Sequence, residues 1–264
     1  MIKREIKVNI KSFIIWLSIL IGIFLIVFLI YPSIISNDNI KEIDNMLSMF
    51  PKEMLQAFNM DISSLTSAYG WLKSEGFVFV LLIIGCYAGI LGSNILLKEE
   101  NDKTIEYLNS LPIKRTTIVL NKSLVGLIFI IMMIVGLAIF NYIGLSLSGK
   151  FNQKQYLLLS MTPIFSSIVI FSLCLFLSTF TSKTKKMLGV SLGIVFLSYM
   201  LQMLSSIADS VSWLKYLSVF TLSDIRNVIA KSSINPIMII ISIGLTILLI
   251  LLTIIHYNKK ELLS

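Results

Sequence analysis

Six apolar runs constrain this chain more than any other feature. They lie at roughly 12–31, 77–97, 123–147, 157–182, 187–208 and 236–256, and none contains Asp or Glu, Asp209 falling just beyond the fifth. About 20 mainly apolar residues suffice to cross a bilayer. Inside lipid every backbone N–H and C=O must be satisfied within the protein, so such runs are helices. Only 14% of residues are charged and 56% are hydrophobic, whereas a soluble domain carries about 25% charged residues. The expected fold class is therefore an all-α membrane protein, with six transmembrane helices in a single domain over residues 1–264. The first run is too long for a signal-peptide core and lacks a small-residue cleavage site, so it reads as a retained span.

The formal net charge is +8. On a soluble protein that charge would point to nucleic acid, but here its distribution points elsewhere. With a cytoplasmic amino terminus, inside segments carry 14 of the 22 basic residues: Lys3, Arg4, Lys7 and Lys11; Lys98, Lys103, Lys114, Arg115 and Lys122; Lys183, Lys185 and Lys186; Lys259 and Lys260. Outside segments carry the other 8, at Lys41, Lys52, Lys73, Lys150, Lys154, Lys215, Arg226 and Lys231. The bias fits the positive-inside rule with both termini cytoplasmic, and anionic lipid headgroups would attract the inner cations. No nucleic-acid partner is expected. The two cysteines, Cys86 and Cys174, fall inside spans and read as small apolar residues rather than as a disulfide or metal pair.

Between the spans the chain becomes amphipathic. In residues 1–11, Ile2, Ile6 and Ile10 recur every four residues beside Lys3, Lys7 and Lys11, which predicts an interfacial helix lying on the membrane. Residues 33–75 form the largest loop, expected outside. Ile43, Leu47 and Phe50, then Met54, Leu55 and Phe58 beyond Pro51, predict two short amphipathic helices on the outer surface, by default a cap over the bundle and alternatively a lid or recognition surface for the transported molecule. Gly85, Gly89 and Ser93 make a small-residue stripe on the second span, and Gly189 and Gly193 make another on the fifth. Such stripes let helices approach closely, by default within the subunit and alternatively in a dimer. Asn94, Asn141 and Gln202 are the polar residues that stand out within spans and are expected to join helices by hydrogen bonds. Trp213, Tyr216, Leu217 and Phe220, followed by Asp224 and Arg226, suggest a half-inserted outer helix pair.

The longest highly charged stretch is Lys98–Lys122, between the second and third spans. Glu99, Glu100 and Asp102 crowd what reads as a helix start, where the helix dipole favours anions. Ile105, Leu108 and Leu111 give an apolar stripe, Pro112 stops the helix, and Lys114 and Arg115 follow at its carboxyl end. This stretch resembles the loop after the second transmembrane helix of ABC-2 type transporter permeases, loosely E-x-x-x-G-T-L-E-x-L-L-x-x-P-x-x-R with a later Lys. Glu99, Thr104, Ile105, Glu106, Leu108, Pro112, Arg115 and Lys122 fall on matching positions; Lys103 replaces a common Gly and Asn109 a common Leu. The resemblance extends to the layout of six spans, a large first outer loop and a short basic tail. In the outer segment Val219 stands where the family often has Pro.

The resemblance implies that this stretch is a coupling helix docking on an ATP-hydrolysing subunit. Glu99, Asp102 and Glu106 are expected on its polar face, open to a partner's cations, with Glu100 also among the coupling residues, while Ile105 and Leu108 rest on the bundle or fill a groove on the ATPase. It implies a cell-membrane permease, of bacterial type, paired with a second permease (a homodimer or a related chain) and two ABC ATPase chains. The sequence has no G-x-x-x-x-G-K-[ST] phosphate loop, so ATP handling belongs to a separate chain and no cofactor is expected here. An intramembrane enzyme would need paired acids or a His/Glu cluster at membrane depth, but the sole histidine, His256, ends the last span. A channel or ion-coupled carrier would place ionisable residues within the spans, and those are missing. The charge-free spans suit export of lipids, amphipathic peptides or hydrophobic drugs.

Overall fold

The computed structural model describes residues 1–34, 67–102, 104–105, 113–207 and 209–260. The helices expected at Ile43–Phe50 and Met54–Phe58 lie outside the described residues, as do Lys103, Glu106, Leu108, Asn109, Leu111 and Pro112. The described residues are predominantly helical, with no strand among them, and six helical stretches are long and apolar enough to span a membrane. Helix α1 covers Ile2–Ile34. A short α2 (Ala68–Trp71) runs through a π-helical turn (Leu72–Gly76) into α3 (Phe77–Asn101). Then follow α4 (Arg115–Ser148), α5 (Gln153–Met161), α6 (Pro163–Ser178) and α7 (Thr184–Ile207). Two 3-10 turns (Asp209–Leu217 and Val219–Ser223) and α8 (Arg226–Lys231) lead to α9 (Pro236–Lys259).

Local chemistry sets the boundaries. Ser67 caps α2 by accepting from the Gly70 N–H at 2.9 Å, as a side-chain oxygen does at an N-cap. Asn152 caps α5 and Asn235 caps α9 in the same way. Pro163 opens α6, where a missing N–H is no loss, and so divides the fourth span into α5 and α6. Gly149 closes α4 at a φ of 148°, a conformation that side chains with a Cβ rarely adopt. The second span begins earlier than its apolar run suggested: α2 and the π turn extend it back to Ala68, and Glu75 lies in its first turns.

Helix α3 is central, packed on α4, α6 and α7. About two thirds of the apolar part of the second span is buried, against about one sixth for α1 and α9. Phe171 of α6 wedges between glycines of two neighbours. A Cβ on Gly92 would lie 2.3 Å from the Phe171 carbonyl oxygen, and one on Gly126 would lie 2.2 Å from its ring. Gly85 and Gly89 seat Phe220 and Ser191 respectively, so the α3 stripe packs within the subunit, its default expectation. Gly189 and Gly193 do not: a Cβ on either would meet nothing within 4 Å. The buried face of α7 runs through Met187, Ser191, Val195 and Ser198, and residues two positions from this line point the other way.

At the end of the bundle away from Lys98, aromatic rings tie the loops down. Tyr69, Tyr142, Phe151 and Tyr156 form a cluster with ring centroids 5.5–6.4 Å apart. Gln155 accepts from the Tyr69 hydroxyl at 3.0 Å and donates to the Ile229 carbonyl at 2.9 Å, joining α2, α5 and α8. The expected outer helix pair is present as two short 3-10 helices. Trp213, Tyr216 and Leu217 are exposed, while Phe220 is buried. Ser218 donates to the Ser198 carbonyl at 2.6 Å and Thr221 to Gln202 at 2.7 Å, so Gln202 joins elements as expected. The side-chain oxygens of Asn94 and Asn141 are buried without a partner among the described residues.

Candidate functional site

The charged end of the bundle gathers residues from α1, α3, α4 and α9. Lys98, Glu99 and Glu100 form the last turn of α3, Arg115 and Lys122 lie in the first turns of α4, Glu5 lies in the first turn of α1, and Lys260 follows α9. Glu99 and Glu100 therefore close a span instead of opening a separate helix. At a carboxyl end the helix dipole opposes anions, and nearby lysines offset that effect.

Lys122 is the centre of the arrangement and is fully buried. Its ammonium lies 2.7 Å from both Glu99 carboxylate oxygens, 2.6 Å from the Ile95 carbonyl and 3.3 Å from Glu5 Oε1. An ammonium has three protons and no acceptor, and here it faces three acceptor groups. The other Glu5 oxygen, Oε2, pairs with Lys98. Glu5 and Glu99 are each no more than 2% exposed. Two carboxylates and two ammoniums thus close into a neutral group, the condition under which charges tolerate burial.

A second set of bonds joins α3 and α4 to the end of α9. Glu100 Oε1 pairs with Lys260 at 2.6 Å, and Lys260 also donates to the Thr181 carbonyl at 2.9 Å. Arg115 Nη1 donates to the carbonyls of Lys260 at 2.9 Å, Asn258 at 3.3 Å and Tyr257 at 3.5 Å. It thereby satisfies carbonyls that a helix end leaves without intrahelical donors. Beside these bonds, Ile105 and Ile118 are buried against Met1 and Ile113. The Thr104 N–H donates to the Glu99 carbonyl at 2.9 Å, carrying the chain past α3.

The motif residues are brought together, but not as the sequence suggested. Glu99 was expected on an open polar face; it is buried because Lys122 draws it inward, and Glu100 is buried against Lys260. Asp102 is exposed and Thr104 half-buried. Ile105 rests on the bundle, as expected. Glu106, Leu108 and Pro112 lie outside the described residues. The separate interfacial helix at residues 1–11 is instead the unbroken start of α1, with no Gly or Pro before Gly22 to interrupt it. Sequence reasoning missed Glu5, Lys98 and Lys260. For Glu5 there was a signal: it is the only acid among four basic residues in the first 11.

A family model described as "ABC-2 family transporter protein" matches residues 1–262. No curated protein and no solved structure matches the chain. The match covers nearly the whole length, and the six apolar helices agree with a membrane subunit. The chain belongs to the ABC-2 family of transporter proteins: it is an integral, multi-pass membrane subunit of an ABC transporter, not itself an enzyme.

Proposed function

We propose that this subunit exports a lipid, an amphipathic peptide or a hydrophobic drug, driven by a separate ATPase chain that docks on residues 98–122. Membership of the family implies association with an ABC ATPase subunit. The observation that carries the docking reading is the buried ion-pair group around Lys122, which takes Lys98, Glu99 and Lys122 from that segment and Glu5 from α1. With Arg115 and Lys260 it joins the ends of α1, α3, α4 and α9, so a push there reaches four helices at once. Exposed Asp102 and the adjoining chain supply the contact surface, and Glu99, Glu100, Arg115 and Lys122 hold that surface to the bundle.

The charged end is cytoplasmic in this reading, as the distribution of basic residues supports. Two permeases and two ATPases form the working complex. The outward glycines of α7, Gly189 and Gly193, suit close approach of a second subunit. Purification from native membrane should bring down an ATPase chain with the permease, while the permease alone hydrolyses no ATP. Candidate amphiphiles should then stimulate hydrolysis by the complex. Robust ATP turnover by the isolated permease would sink the reading.

A further inference from the structure

We propose that Glu5 is a positioning residue for coupling: it ties the first turns of α1 to the ends of α3 and α4, so that the three helices pass on ATP-driven motion as one body. The inference rests on the docking of an ATPase at residues 98–122. Residues 2–11 of α1 precede its apolar run and extend roughly 15 Å beyond it at 1.5 Å per residue. In this stretch Glu5 alone is buried; Lys3, Arg4, Lys7, Val8 and Lys11 are exposed, and the next buried residue is Phe13. Held only by the partly buried Ile10 and from Phe13 onward, the first two turns of that stub would be free to fray and bend away from the bundle, as helix termini do.

Glu5 holds it with one carboxylate oxygen to each of two helices. Oε1 faces Lys122 of α4 at 3.3 Å, and Oε2 pairs with Lys98 of α3. A second contact lies one turn earlier, where Met1 packs on Ile105 and Ile118 and its sulfur accepts from Asn121 Nδ2 at 3.8 Å. Two contacts about one turn apart on the same face fix both the rotation and the tilt of the stub. Glu5 is not required to neutralise Lys122, because Glu99 contacts that ammonium with both oxygens at 2.7 Å. Lys98 is partly exposed and can take water in place of Glu5. Attachment is thus the one role that Glu99 and solvent do not already supply.

Glu5→Gln separates attachment from folding, since Lys122 keeps Glu99 and the Ile95 carbonyl. The full chain, with its two native cysteines replaced by alanine, is spin-labelled at Lys7→Cys and Thr117→Cys in nanodiscs. The expected result is one narrow distance distribution with Glu5 and loss of that single peak in Glu5→Gln, while an Asn101→Cys and Thr117→Cys pair stays unchanged. In the assembled transporter, Glu5→Gln should keep its thermal midpoint and its recovery of ATPase on pull-down. It should lose the change in ATP turnover that the unaltered permease imposes on its ATPase. An unaltered Lys7–Thr117 distribution, or full retention of that effect on turnover, would overturn the proposal. Failure of the unaltered permease to capture any ATPase would instead overturn the docking reading, and the label distances alone would then decide whether Glu5 ties the helices.

Discussion

Replacing Lys122 with methionine tests whether the buried ion-pair group holds the charged end together. Met matches the length of the Lys stem but removes the ammonium. Glu5 retains Lys98, and the Ile95 carbonyl lies within α3, where the helix ladder supplies a donor. Glu99 retains nothing: its carboxylate, 2% exposed, has no other partner among the described residues. Removing one member of a buried pair costs about 3–5 kcal/mol because the survivor is left uncompensated. For a chain of this size each kcal/mol moves the midpoint by roughly 2–4 °C, so the fall should be on the order of 10 °C. The protein carries its own reporters, since Cys174 is buried and Cys86 half-buried, and a thiol-reactive fluorophore reads their exposure on heating in detergent. The double variant Lys122→Met with Glu99→Gln deletes the stranded charge and should recover most of the loss. A single variant within experimental error of the parent, or a double variant no better than the single, would refute the reasoning.

Other consequences are equally concrete. Gly92→Ala places a Cβ against a backbone carbonyl oxygen at 2.3 Å, so α3 and α6 must separate; overpacking of this kind costs about 1–3 kcal/mol, read as a lower midpoint in the same thiol assay. Gly244→Ala, with nothing within 4 Å, should leave the midpoint unchanged, and equal effects from both substitutions would discredit the packing argument. For topology, single cysteines at Asn152 and Lys185, both exposed, should react with an impermeant thiol reagent from opposite sides of sealed cells in a background lacking Cys86 and Cys174. Labelling of both from one side would refute a span between them, and Lys185 reacting from outside with Asn152 protected would reverse the orientation read from the basic residues.

The sequence by itself determined the number of spans, the absence of a nucleotide-binding loop and the family resemblance of residues 98–122. Those are local properties: hydropathy sums along the chain, and a span must satisfy its own backbone whatever its neighbours do. The side-chain caps that form are equally local, as Ser67, Asn152 and Asn235 act within three residues of themselves. Tertiary structure alone decided which charges were buried. A run of acids and lysines reads as a solvated face, yet Glu5 meets Lys98 across 93 residues of chain and Glu100 meets Lys260 across 160. Tertiary structure likewise separated the glycines that seat a neighbour, Gly92 and Gly126, from Gly189 and Gly193, which face outward. Composition is identical in the two cases. Only the direction each helix turns toward its neighbours tells them apart, and that direction is set by the packing of all the spans together.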